Sequence, residues 1–230
     1  MAAQSGIIAQ ARYHRQEERP LDYQTADRTA SGEFTEKKSR FIGSISPVRT
    51  EAEAVAFIQQ VKKTHPQARH HVYAYILRDG NLSRYSDAGE PSGTGGQPAL
   101  QVLVREGLTD VCVVVTRYFG GVLLGAGGLT RAYARGAKVA VDAAGVAVMR
   151  LCCVYTVRCS YALYQRLLSM LEQEACTVGE SVFTDEVAFS LSMRAQDTTR
   201  ILEKLSEASA GTASVTYQCE KYVKYKKQTA

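Results

Sequence analysis

The feature that most constrains the fold is an apolar run, DVCVVVTRY, at Asp110–Tyr118. Its continuous hydrophobicity predicts a strand that is buried on both faces at the centre of a sheet. A glycine-rich turn follows at 120–128, and the pattern after it predicts a helix from Leu129 to Val146. A buried strand that leads through a turn into a helix indicates a domain in which helices are layered on a sheet.

The first half of the chain contains further strand and helix signals. Residues 39–46 and 69–78 read as strands, and Pro98–Glu106 reads as a short helix with proline at its first position. Glu51–Thr64 has apolar residues at helical spacing, acids at its start and lysines at its end. Thr50 is the expected N-cap of that helix.

The second half has a different order of elements. The pattern β-α-β-β-α-β is typical of the ferredoxin-like fold. The segments that give this pattern are 152–160, 162–175, 177–183, 186–193, 195–208 and 212–225. We expect the boundary between two domains near 146–151, which gives domains at 21–147 and 150–225. The polar segment at 1–20 is expected to be a flexible extension.

Composition excludes several classes of protein. The net charge of +5 is mild, and none of the six cysteines forms a C-x-x-C pair that would indicate a zinc framework. No apolar run approaches the ~20 residues that span a bilayer, and no secretory signal is visible. The sequence therefore predicts a cytoplasmic protein without a membrane association, a metal or a cofactor.

A long loop at 85–96 is the first candidate for function. It lacks a strand pattern, and long loops in compact domains often carry function. Asp87 and Glu90 are candidates for an acid pair or for ligands of a hard cation. The alternative is a surface turn whose side chains cap its own backbone. The polar candidates in this loop are Ser86, Asp87, Glu90, Ser92 and Thr94.

The glycine-rich turn and the helix after it are the second candidate. Backbone N–H groups converge at such turns, and a helix N-terminus favours an anion. Four cations and no acid lie between Val113 and Val141, and those on the helix share one face. Tight strand–helix packing and a solvated helix face are the alternatives. The anion-binding candidates are Arg117, Tyr118, Gly120, Gly121, Gly125, Gly127, Gly128, Arg131, Arg135 and Lys138.

A further group of cations precedes two of the predicted strands. If those strands pair, the cations lie close together and extend the basic surface. A metal site at neighbouring His70 and His71 is disfavoured, because consecutive strand residues point to opposite faces. The residues of this group are Lys37, Lys38, Arg40, Arg69 and His70.

Four segments in order resemble the IMPACT family. They are EKKSRFIG at 36–43, HPQARHHVYAY at 65–75, YSDAGEPSGTGGQP at 85–98 and VVVTRYFGGVLLGAGGLTRAY at 113–133. Residues 150–225 are similar by pattern to the smaller C-terminal domain of the bacterial YigZ-like members. The resemblance implies an α+β protein with a ribosomal protein S5 domain 2-like N-terminal domain and a ferredoxin-like C-terminal domain.

The resemblance also implies a function linked to translation, because eukaryotic relatives are translation regulators. It supplies no established reaction and no agreed catalytic residues. We therefore expect a binding protein whose partner is RNA or the ribosome, with a protein partner left open. The alternative is an enzyme that acts on a phosphorylated small molecule or nucleotide, with phosphate held at Gly125–Gly128 and Asp87 and Glu90 as base or magnesium ligands.

Overall fold

The computed structural model describes residues 22–225. Its strands are β1 (Asp22–Ala26), β2 (Ala30–Glu36), β3 (Ser39–Pro47), β4 (His70–Leu77), β5 (Leu82–Ser86), β6 (Val111–Tyr118), β7 (Val146–Cys159), β8 (Cys176–Phe183), β9 (Val187–Arg194) and β10 (Ser214–Tyr225). Its α-helices are α1 (Glu51–Thr64), α2 (Gly96–Arg105), α3 (Ala126–Ala144), α4 (Tyr161–Leu171) and α5 (Thr198–Ala208).

The described residues form two compact units. One contains 23–148, and the other contains Asp22 together with 149–225. The boundary falls inside β1 and β7 rather than in a loop. The predicted extension at 1–20 lies outside the described residues, and 21–147 and 150–225 remain our proposed domain limits.

The first unit is built on an antiparallel sheet with the strand order β2-β3-β6-β4-β5. Strand β6 is central and buried from Val111 to Arg117, as the apolar run predicts. Its Val111, Val113 and Val115 pack with α2 and α3 on one face. Its Cys112 and Val114 pack with α1 on the other. Both faces of the sheet are therefore covered by helices.

The first helix has the bounds and the cap that the sequence predicts. Thr50 has extended backbone dihedrals, and its hydroxyl accepts a hydrogen bond from the N–H of Glu53. This bond satisfies one of the amides that the first turn leaves without a helical partner.

Glycines bring α3 against the sheet. A Cβ on Gly43 of β3 would overlap the carbonyl oxygen of Gly136 in α3. A Cβ on Gly136 would lie 2.6 Å from Cγ1 of Val115, and one on Gly32 would lie 2.6 Å from Cγ1 of Val139. The helix therefore meets the sheet directly, backbone against backbone at Gly43 and Gly136 and glycine against a valine side chain at the other two contacts, which positions α3.

The second unit follows the order β7-α4-β8-β9-α5-β10. Four strands of this unit share one sheet, in which β7 pairs with β9, β9 pairs with β8, and β10 pairs with β7. Tyr155, Leu167, Phe189, Met193 and Ile201 form part of its core. The order of elements is the predicted ferredoxin-like one. The chain is an α+β protein with an S5 domain 2-like first unit and a ferredoxin-like second unit.

Within residues 22–225, no helix combines the length and the apolar character that crossing a bilayer requires.

Candidate functional site

The two lysines at the start of the basic group form the turn between β2 and β3. Glu36 pairs with Ser39 across the hairpin, so Lys37 and Lys38 are its two loop residues. Their φ angles are +44° and +65°, which match the type I′ turn of two-residue hairpins. Both side chains are exposed. The turn therefore presents two adjacent positive charges to solvent.

The glycine-rich turn lies directly against this hairpin. A Cβ on Gly120 would overlap the carbonyl group of Lys38, so only glycine permits the approach. The N–H of Gly120 donates to Oγ of Ser39 at 3.2 Å. These contacts bring two regions that are 81 residues apart in sequence to one end of the sheet.

The turn exposes its apolar side chains and leads into α3. Phe119, Val122 and Leu123 are all exposed, and Leu123 is 82% exposed. Gly121 and Gly125 have φ angles of +82° and +72°. The turn therefore follows a path that other residue types adopt only with strain.

Helix α3 begins at Ala126, three residues before the predicted start at Leu129. Gly127 and Gly128 lie in its first turn, where their low helix propensity conceals the helix from sequence reasoning. The N-cap Gly125 offers no side chain to the first amides. The structure thus places a helix N-terminus beside the glycine turn.

The basic face of α3 is less charged than its sequence suggests. Lys138 pairs with Glu106 at 2.9 Å and with Asp142 at 2.8 Å, and Arg135 lies 3.7 Å from Glu36. Arg131 is exposed, and among residues 22–225 it has no carboxylate partner. Of the three predicted helix cations, Arg131 is therefore the one whose charge is not offset by a carboxylate.

Arg117 is not on the surface that the sequence suggested. Its side chain is 6% exposed, and Nη1 donates to Oε1 of Glu90 at 2.7 Å. The hydroxyl of Tyr133 donates to the same oxygen at 2.7 Å. Burial and the adjacent Glu90 carboxylate raise the pKa of Tyr133. Arg117 and Glu90 thus form a buried ion pair inside the first unit.

The long loop is held together by Asp87. Its Oδ2 accepts the N–H of Gly93, and its Oδ1 accepts those of Gly95 and Gly96, all within 2.9 Å. Burial acts to raise the pKa of Asp87, but the three backbone donors bring the pKa below its ordinary value. The structure therefore favours the capping alternative for this carboxylate.

The other polar residues of the loop also serve its own backbone. The hydroxyl of Thr94 donates to the carbonyl of Pro91 at 2.7 Å, and Oγ of Ser86 accepts the N–H of Ala88. Ser92 is exposed. Glu90 accepts from Arg117 and Tyr133, and Asp87 accepts from three amides, so both acids of the loop already have hydrogen-bond donors. The described residues contain no group of three His, Cys, Asp or Glu side chains that is suited to a metal ion.

Strands β3 and β4 do not pair with each other. Their pairing was the condition under which the cations before the two strands would form one surface. β6 lies between them, and His70 and Phe41 flank Arg117 in the register. Nδ1 of His70 donates to the carbonyl of Ala88 at 2.9 Å, and Nε2 of the same ring lies 3.9 Å from Oε1 of Glu90. His71 contacts Thr116 instead, so the two histidines serve different neighbours. Arg69 is exposed and immediately precedes β4.

Arg40 and Tyr118 face each other across the pairing of β3 and β6. The guanidinium of Arg40 lies 5.9 Å from the centre of the Tyr118 ring and also pairs with Glu33 at 2.5 Å. The hydroxyl of Tyr118 lies 3.1 Å from Nδ1 of His65. These two candidates are therefore partnered with each other, with Glu33 and with His65.

Sequence reasoning missed Ser39 and Phe119. Ser39 is fully buried and joins the hairpin to the glycine turn, a role that only the register reveals. Phe119 is 48% exposed although it directly follows a buried strand. The one sequence signal for Phe119 was its position directly before two glycines, where an aromatic side chain can be exposed.

Two family profiles match the chain. The Impact N-terminal domain matches residues 37–141, and a domain of unknown function (DUF1949) matches residues 157–212. A solved structure titled "Crystal structure of an hypothetical protein" shares 29% identity and a TM-score of 0.56, and the match covers 86% of this chain and 98% of that one.

Two bacterial relatives are similar over most of the chain. The IMPACT family member YvyE of Bacillus subtilis is 35% identical over 213 residues, which cover 90% of this chain and 98% of the relative. The IMPACT family member YigZ of Escherichia coli is 35% identical over 181 residues, which cover 76% and 87%. On the strength of these matches, this chain belongs to the IMPACT family.

Proposed function

We propose that the chain binds RNA, in the translation-linked role that its family resemblance implies, through one end of its first unit. The contact region, which we name the lysine–glycine surface, consists of Lys37, Lys38, Gly120, Gly121, Gly125 and Arg131. The observation that carries the proposal is the packing of Gly120 on the Lys38 carbonyl, since it joins exposed cations to an exposed glycine turn.

The contacts between α3 and β2 indicate where Arg131 lies. Val139 adjoins Gly32, and one turn earlier Arg135 adjoins Glu36 at the end of β2. Arg131 lies one further helical turn toward the N-terminus of α3. The hairpin loop Lys37–Lys38 lies directly beyond the end of β2. Arg131 is therefore expected near the two lysines.

The three cations of this surface lack ion-pair partners among the described residues. Within 22–225, none of Lys37, Lys38 and Arg131 forms an ion pair, whereas Arg40, Arg117, Arg135 and Lys138 each do. Cations without ion-pair partners beside a helix N-terminus are suited to phosphate, which accepts hydrogen bonds from side chains and from backbone amides. Phosphate contacts supply most of the sequence-independent affinity for a nucleic acid.

The test replaces the two lysines of the turn with uncharged residues that preserve the turn conformation. Lys37→Asn/Lys38→Gly installs the residue pair that type I′ turns prefer, so the hairpin keeps its shape while two charges are lost. If both lysines contact phosphate, affinity for single-stranded RNA falls about 25-fold at 0.1 M salt, and the slope of log K against log salt falls by about 1.4. Fluorescence anisotropy across a salt series measures both quantities.

A matched variant controls for net charge. Lys62→Gln/Lys63→Gln removes two charges from α1, the helix on the other face of the sheet. It is expected to change RNA affinity less than twofold. Equal loss in the two variants, or no RNA binding by the wild type at low salt, would contradict the proposal.

A further inference from the structure

Phe119 stands at the end of a row of stacked groups that runs from the core to the surface. The rings of Phe34 and Phe41 are stacked with centroids 5.2 Å apart. The guanidinium of Arg117 lies 5.6 Å from the Phe41 centroid and 5.4 Å from the Phe119 centroid. Phe41 is fully buried, whereas Phe119 is 48% exposed. The row thus consists of two stacked rings, one guanidinium and a half-exposed terminal ring.

The inner support of that ring is rigid. Arg117 is held by Glu90 at 2.7 Å, and its Nη2 lies 3.4 Å from Oγ of Ser39. On the chain side, Gly120 is held by the same Ser39. The Phe119 ring is therefore pre-positioned against a fixed guanidinium, and a ligand that stacks on it incurs little additional ordering cost.

The surroundings of Phe119 indicate the chemistry of that ligand. A single exposed aromatic residue is ordinary on a protein surface. Here the next two residues are glycines, which add no side chains of their own beside the ring, and the adjoining hairpin carries Lys37 and Lys38. An aromatic face beside unpaired cations is the arrangement that binds single-stranded nucleic acid, because bases stack while phosphates meet positive charge.

We propose that Phe119 is a stacking platform for an unpaired base, so that the ligand is RNA with a single-stranded segment rather than a continuous duplex. This inference rests on the proposed RNA binding and specifies its ligand. Bases inside a duplex are already stacked on their neighbours, and only a base released from that stack has a face available for Phe119.

The test compares two probes and three variants of the full chain. The probes are a short single-stranded RNA with one 2-aminopurine and a blunt RNA duplex of equal length. Phe119→Ala is expected to weaken single-strand binding about 5- to 150-fold, the range of one base–aromatic stack. Phe119→Tyr retains the ring and should keep wild-type affinity. Tyr85→Ala removes an aromatic residue that is equally exposed, at 48%, on the edge strand β5, and should have no effect.

The salt dependence separates stacking from charge. Phe119→Ala is expected to leave the salt slope unchanged and to abolish the change in 2-aminopurine emission on binding. Duplex affinity should fall less than twofold. Circular dichroism and thermal melting establish that each variant is folded, and Phe119→Leu substitutes for the alanine variant if that one unfolds.

The possible failures are distinguishable. If the wild type binds neither probe at low salt, both RNA binding and the stacking inference fall. If it binds with a linear salt dependence but Phe119→Ala binds both probes like the wild type, the stacking inference is overturned while RNA binding stands. An equal loss on single strand and duplex also overturns it, because the ring would then contribute to RNA binding without stacking on an unpaired base.

Discussion

Asp87 provides the sharpest test of how the long loop is built. Its Oδ1 accepts two amides, and its Oδ2 accepts the third, that of Gly93. Asp87→Asn keeps one carbonyl oxygen for Gly95 and Gly96 but places an N–H₂ group opposite the Gly93 amide. Asp87→Ala removes all three acceptors.

The two substitutions should have graded effects on stability. A hydrogen bond to a charged group is worth about 1.5–3 kcal/mol, and a buried donor left without a partner costs about 1–3 kcal/mol. Asp87→Asn loses one such bond and weakens two, so the free energy of unfolding should fall by about 2 kcal/mol. Asp87→Ala also leaves the buried amides of Gly95 and Gly96 unpaired, so the free energy of unfolding should fall by about 4 kcal/mol.

The pH dependence has a defined sign. The folded-state pKa of Asp87 lies below its ordinary value of 3.8, so folding favours the carboxylate. Its contribution is complete above the unfolded pKa and is lost as pH falls through the folded pKa. The stability advantage of the wild type over Asp87→Asn should therefore be constant near neutrality and shrink below about pH 4.

Urea unfolding followed by tyrosine fluorescence measures the stability, and amide hydrogen exchange locates the change. In Asp87→Asn, protection should fall most at Gly93, whereas in Asp87→Ala it should fall at all three glycines. Asp185→Asn, an exposed acid in the other unit, serves as the control. Wild-type stability and unchanged Gly93 exchange in Asp87→Asn would refute the structural role.

Two further predictions concern the packing of the first unit. Glu90→Gln and Arg117→Met should each cost about 3–5 kcal/mol, because each leaves a buried partner uncompensated, and the double variant should cost less than their sum. Additive costs in that double-mutant cycle would show that the two residues are not coupled. Gly43→Ala should destabilise by about 2–3 kcal/mol by forcing α3 away from β3. Gly80→Ala, at a φ of +65° with open space around it, should cost only about 1 kcal/mol, and equal costs would contradict the close-packing argument.

The sequence predicts elements that carry strong local signals. The Thr50 cap and the acidic first turn place α1 at Glu51–Thr64, as the structure has it. Strand β2 was missed, because Phe34 is its one large apolar residue and no apolar alternation appears in its sequence. The start of α3 was placed too late, since Gly127 and Gly128 have low helix propensity although tertiary packing makes them helical.

The candidate site depends on contacts that local patterns do not contain. The acids that offset Arg135 and Lys138 include Glu36 and Glu106, which are distant in sequence, and Asp142, which follows the acid-free stretch by one residue. The burial of Arg117 follows from its place in the central strand, where the sheet order decides its neighbours.

The glycine contacts between α3 and the sheet have a consequence for protein engineering. Because Gly32, Gly43 and Gly136 let backbone meet backbone or a branched side chain directly, the gap between helix and strands has no adjustable filler. Volume-conserving changes elsewhere in the core leave this gap unaltered. The first unit is therefore suited to redesign of its interior while the geometry at the hairpin end is preserved, provided that these three positions are left untouched.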